Sequence, residues 1–165
     1  METEAKTGYT TRLIYFRQNA GKTVEETAAA IGMSPQSYAD LESYDNELAD
    51  CISLYKLMLL AKTLNFSLGD LFSDNGDVPQ KAMTLEQLRD EILQYLETLN
   101  ITVGQFENEV GWEVEKALSA PAEFLNLNLT GLKDLCNKIG VSWLSVLSTL
   151  NVPSNVPGRP EDSVR

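Results

Sequence analysis

The 165 residues contain no histidine and only two cysteines, Cys51 and Cys136. Without histidine the chain lacks the commonest general base and the commonest transition-metal ligand. Two cysteines that far apart fit no metal-ligand spacing, and they read as free thiols of a reducing compartment rather than as a disulfide. Positive charge is also scarce, with 13 Lys plus Arg against 24 Asp plus Glu and a formal net charge of −11. The resulting field repels nucleic acid and anionic membrane and favours basic partners. No stretch reaches the roughly 18 apolar residues of a membrane span. The acidic, polar residues 1–6 are unlike a secretion signal, so the expected location is cytoplasmic. Phosphate loops, glycine-rich dinucleotide turns and nucleophiles beside a base are all missing. Carboxylate pairs such as Glu107 with Glu109 and Glu113 with Glu115 are spaced i, i+2 and leave a helix on different sides. These absences argue against an enzyme, and they call for no cofactor and no metal.

What is present is helical punctuation. Leu13, Ile14 and Phe16 form the apolar stripe of a first helix that stops near Gly21. Thr23 through Glu26 make a capping box for a second helix running to Ile31, and Gly32 supplies a tight turn. Ser34 followed by Pro35 is an N-cap with proline at the first helical position, opening a third helix through Leu41. Residues 45–50 read as an irregular acidic stretch. Leu54, Leu57, Leu60, Ala61 and Leu64 then recur at helical spacing, and Ser67 caps a short helix ending at Leu71 and Phe72. Residues 73–82 hold Asn75, Gly76 and Pro79 in a polar setting, which is a linker.

The pattern then repeats. Thr84 to Gln87 cap a helix from Leu85 to Leu99. Thr102 to Gln105 align with Thr23 to Glu26 at an offset of 79. Leu129, Leu132, Leu135, Cys136 and Ile139 align with the stripe from Leu54 to Leu64 at an offset of 75. The four-residue difference places a deletion in the loop after the third helix. The expected organisation is a tail at 1–9, a first domain at 10–72, a linker at 73–82, a second domain at 83–150 and a disordered tail at 151–165. Trp112, Trp143, Tyr38 and Tyr44 read as core or rim aromatics. Residues 124–129, which alternate as a strand would, read as a loop and helix start whose leucines fill the core.

The first unit resembles the phage-repressor type of helix-turn-helix domain, the Cro and lambda-repressor (XRE) kind. The likeness is carried by Arg17, Gly21, residues 23–34, Leu41 with Glu42, and residues 61–72. The second unit is similar only in a degenerate way, its third-helix region being cut short at Pro121. The resemblance implies an all-α protein of two tandem lambda-repressor-like helix-turn-helix domains. It also implies operator DNA as ligand, a third helix in the major groove, and a homodimer. By position Ser34, Gln36 and Ser37 would face the bases, with Gln36 an adenine reader. Arg12, Arg17, Lys22 and Lys56 would anchor phosphates.

Charge points the other way. Residues 23–55 contain no lysine and no arginine but seven carboxylates: Glu25, Glu26, Asp40, Glu42, Asp45, Glu47 and Asp50. DNA readers gain most of their affinity by neutralising phosphates. The expected function is therefore a regulatory protein that captures a basic protein partner, as antitoxin, immunity or anti-repressor factors do. Asp40, Tyr44, Asp45, Glu47, Asp50, Glu113 and Glu115 would form its contact surface. The alternative is a DNA-binding transcriptional regulator using Arg17, Lys22, Ser34, Gln36, Ser37 and Lys56.

Overall fold

The structure is a computed structural model that describes residues 8–72 and 81–150. Residues 1–7 of the expected N-terminal tail, the expected C-terminal tail and most of the expected linker lie outside these residues, while Tyr9 already belongs to the first helix. The described chain is helical throughout and contains no strand, only one isolated antiparallel bridge between Ser53 and Asn128. The first unit comprises α1 (Tyr9–Asn19), α2 (Val24–Ala30), α3 (Pro35–Ser43), α4 (Asp45–Asp50), α5 (Leu54–Leu64) and α6 (Leu68–Phe72). The second comprises α7 (Leu85–Leu99), α8 (Val103–Val110), α9 (Glu115–Ser119), a 3-10 helix (Pro121–Asn126), α10 (Leu129–Ile139) and α11 (Trp143–Leu147).

The helices begin where side chains can satisfy their orphan N–H groups. Thr23 Oγ1 accepts the Glu26 N–H at 3.0 Å, and Glu26 Oε1 accepts the Thr23 N–H at 2.9 Å. Thr84 with Gln87 and Thr102 with Gln105 close the same reciprocal box. Ser34 Oγ accepts the Ser37 N–H at 3.1 Å, and Pro35 takes the first helical position, where no N–H is needed. Gly32 turns the chain from α2 into α3 at φ +75°, a backbone region that disfavours side chains.

Burial follows the leucine stripes. Leu54, Leu57, Leu60, Ala61 and Leu64 of α5 are buried, as are Leu129, Leu132, Leu135 and Cys136 of α10, with Ile139 half-buried. Each fully buried leucine contributes roughly 1.5–3 kcal/mol of transfer free energy.

Two local expectations change. The acidic stretch at 45–50 is the helix α4, because Leu48 is fully buried and Asp45 ties its start to α1. Residues 121–126 form the 3-10 helix; Phe124, Leu127 and Leu129 are buried there, so the alternating pattern fills the core without making a strand. In the second unit α9 has only 5 residues, against 9 in α3.

The two units meet along one seam. The Leu54 N–H donates to the Leu127 carbonyl at 2.7 Å beside the Ser53–Asn128 bridge. Asn128 Nδ2 donates to the Asp50 carbonyl at 2.9 Å, and Thr130 Oγ1 bonds the Asp50 carboxylate. Helix α4 packs on α10, the 3-10 helix packs on α5, and α6 packs on α11. The Lys133 ammonium lies 4.4 Å from the Trp143 ring centroid and 5.9 Å from that of Tyr9, within range of a cation–π attraction.

Candidate nucleic-acid interface

Helix α3 is held on one side and open on the other. Tyr38 and Leu41 are fully buried against α1 and α2. Ser34, Pro35, Gln36 and Ser37 at its N-terminal end are exposed. This follows from the sequence: the buried pair is spaced i, i+3, so the polar residues on the preceding turn are left outside. Ser34 and Ser37 also hydrogen-bond through their hydroxyls at 3.0 Å. Gln36 Nε2 donates weakly to Asp40 Oδ1 at 3.3 Å, leaving its carbonyl and its second N–H available.

Two of the four expected phosphate anchors are used inside the fold. Arg17 donates to Glu42 through Nε at 2.6 Å and Nη2 at 3.1 Å, and its Nη1 donates to the Lys22 carbonyl at 3.0 Å. With side-chain exposures of 16% and 9%, this pair is a partly buried clamp between α1 and α3. The Glu42 hydrogen bond holds the Arg17 guanidinium above its already high ordinary pKa. The Arg17 guanidinium is thus engaged inside the fold. Arg12 Nη1 donates to the Leu71 carbonyl at 2.7 Å, which fastens α1 to α6. Burial, followed by the neighbouring Glu42, drives the Tyr38 phenol well above its usual pKa, so it stays neutral.

Lys22 and Lys56 remain. Lys22 is exposed just before α2. Lys56, on the first turn of α5, reaches the Gly32 carbonyl with Nζ at 3.3 Å, which sets its charge beside the α2–α3 turn. Tyr44, 57% exposed, follows the C-terminal end of α3.

The carboxylates expected to form a partner surface are mostly engaged. Asp45 Oδ1 accepts the Thr10 N–H at 2.9 Å. Glu47 accepts a hydrogen bond from the Cys51 thiol, the main reason that this thiol lies above its ordinary pKa. Asp50 is at the seam on Thr130, and Asp40 is half-buried beside Gln36. The 40–50 carboxylates thus bond and join helices, while Asp45 and Asp50 stay exposed. Sequence reasoning missed the seam residues Asn128 and Thr130, and it named Asp50 only as a contact for an outside partner. Ser53 and Asn128 fall at the same offset of 75 as the leucine stripes, and that was the available signal.

In the second unit Glu113 and Glu115 are exposed. They border a cleft of about 650 Å³ lined also by Trp112, Lys116, Glu123 and Phe124. Glu107 Oε2 spans its floor, accepting the Val114 N–H at 2.8 Å and the Glu115 N–H at 3.0 Å. The cleft exists because α9 is too short to cover that ground.

An α2 seated on the core through Thr27 and Ala28, a tight glycine turn and an α3 with a polar outer edge define a helix-turn-helix. Residues 13–71 match the family model described as Helix-turn-helix. This segment is a helix-turn-helix domain of the phage-repressor (Cro and lambda-repressor, XRE) type. The second unit lies outside the match. No curated protein and no solved structure matches the chain. Among the described residues no helix is long and apolar enough to cross a membrane.

Proposed function

We propose that this protein is a DNA-binding transcriptional regulator that inserts α3 into the major groove. This is the reading that sequence charge had placed second, and one observation reverses the order. The exposed N-terminal edge of α3 carries no carboxylate: Glu42 is paired with Arg17, and Asp45 and Asp50, though exposed, lie beyond the C-terminal end of α3 on the Thr10 N–H and Thr130. The exposed edge that remains is Ser34, Gln36 and Ser37, flanked by Lys22 and Lys56. The helix-turn-helix family of residues 13–71 supports the same ligand. In this arrangement Gln36 reads a base edge, Lys22 and Lys56 meet phosphates, and the Tyr44 hydroxyl is placed to add a phosphate hydrogen bond.

Duplexes selected from a random pool and titrated by fluorescence anisotropy test this. Gln36→Ala should weaken the selected duplex by ~1–3 kcal/mol and relax its sequence preference. If no duplex is enriched, or if Gln36→Ala binds as the parent does, the proposal fails.

Capture of a basic protein is the second reading, and it is favoured by the cleft bordered by Glu113 and Glu115. In that case charge reversal at these two residues would abolish the complex and leave DNA binding as it was.

A further inference from the structure

We infer that the second unit occupies the place a second protomer would take in a two-fold dimer, and that it does so without a working reading head. The chain then engages a single half-site of duplex DNA as a monomer. This rests on the DNA-reading function proposed above and adds how many heads take part.

The seam carries the symmetry. At an offset of 75, α5 corresponds to α10 and α4 to the 3-10 helix. The 3-10 helix packs on α5 while α4 packs on α10, so one contact is made twice with the roles exchanged. Helix α6 meets its own counterpart α11. Ser53, the N-cap of α5, bridges Asn128, the N-cap of α10 and again its own counterpart. Exchanged contacts with self-pairs on the axis are the signature of an isologous two-fold interface. Two unrelated helical lobes would have no reason to meet this way. The surface through which a second copy could pair is consequently already filled by the chain itself.

The second head has lost each group that the first would use. At an offset of 79, Ser34 and Gln36 become Glu113 and Glu115, and Lys22 becomes Ile101. At an offset of 75, Lys56 becomes Gly131. A Cβ on Gly131 would come within 3.1 Å of the Trp112 ring, so the indole covers the spot where the first unit carries its lysine. Arg17 becomes Leu96, only 7% exposed, so the clamp that seats the third helix is gone too. At the shortened α9 the exposed Glu113 and Glu115 flank a single exposed cation, Lys116, which stands where the first unit has Ser37. Only α3 can read.

Two measurements on the full chain test this. Sedimentation without DNA is expected to show a single chain at every concentration. Anisotropy then compares a duplex holding one copy of the selected half-site with one holding two copies about 10 base pairs apart, one helical turn. One chain should bind both, with affinities within the factor of two that an extra site gives statistically. A protein with two working heads would instead gain ~100-fold or more from linked binding. That gain, or a stable dimer in free solution, overturns the inference. If no duplex is selected at all, the proposed function fails and sedimentation alone decides the pairing: a monomer supports it and a dimer overturns it.

Discussion

Arg17 and Glu42 form a two-pronged ion pair, Nε to Oε2 at 2.6 Å and Nη2 to Oε1 at 3.1 Å, that joins the first helix to the third. The pair removes one base and one carboxylate from the surface at once. It thereby settles where α3 sits without charging the face that α3 presents.

Breaking this pair should therefore affect stability more than recognition. Glu42→Gln leaves the guanidinium short of its charged partner, and urea unfolding should register a loss of about 1–3 kcal/mol. Arg17→Gln should lower stability similarly yet leave the slope of log affinity against log salt unchanged. A slope that fell by about one unit would mean that Arg17 meets a phosphate after all.

The lysines should behave in the opposite way. Lys22→Ala and Lys56→Ala should each weaken binding to all duplexes alike and reduce the salt slope by ~1. With two anchors the parent slope should be shallow, near −2, given about −0.9 per neutralised phosphate. A slope of −6 or steeper would show that other bases on the chain reach the backbone.

Asn128 serves both units. Its Oδ1 accepts the Gly131 N–H at 2.7 Å, capping α10, while its Nδ2 donates to the Asp50 carbonyl across the seam. Asn128→Ala should cost about 1–3 kcal/mol from the lost cap and cross-bond together. Ser53→Ala removes a cap alone and should cost about 0.5–2 kcal/mol. Equal losses in chemical denaturation would count against a cross-seam role for Asn128.

The two thiols should separate cleanly. Cys51 is exposed, and Cys136 is fully buried. A thiol reagent at mildly alkaline pH should titrate Cys51 in the native protein and reach Cys136 only on unfolding. Glu47→Gln should speed the Cys51 reaction, because the Glu47 hydrogen bond holds that thiol above its ordinary pKa and limits thiolate. Burial pushes Cys136 up from 9.0 to about 12. The folded state thus favours the protonated thiol. That contribution is complete below pH 9 and is lost as pH rises toward about 12, where the folded thiol ionises as well. Cys136→Ala should flatten this part of the alkaline stability curve, leaving the share due to Tyr38, whose phenol is raised in the same sense.

Much of the architecture was written in local patterns. Caps at Thr23, Ser34, Thr84 and Thr102 depend on residues three positions apart, and the leucine stripes of α5 and α10 on residues three and four apart. Both are visible to anyone reading along the chain. The all-α class followed from those short-range rules, and the repressor-type first unit from the resemblance that its residues carry. The α4 helix did not, because Leu48 alone gives no period and its burial comes from neighbours distant in sequence.

The interface could not be judged from composition. A carboxylate counts as −1 in the sequence whether it faces solvent or a guanidinium. Glu42 lies 25 residues from Arg17, Asp45 35 residues from Thr10, and Asp50 80 residues from Thr130. Only packing decided that Glu42 is taken up by Arg17, that Asp45 and Asp50 each find a distant partner, and that Gln36 faces outward. The sign of a surface is a tertiary property, because electrostatic energy depends on distance in space and on solvent, neither of which a linear count contains.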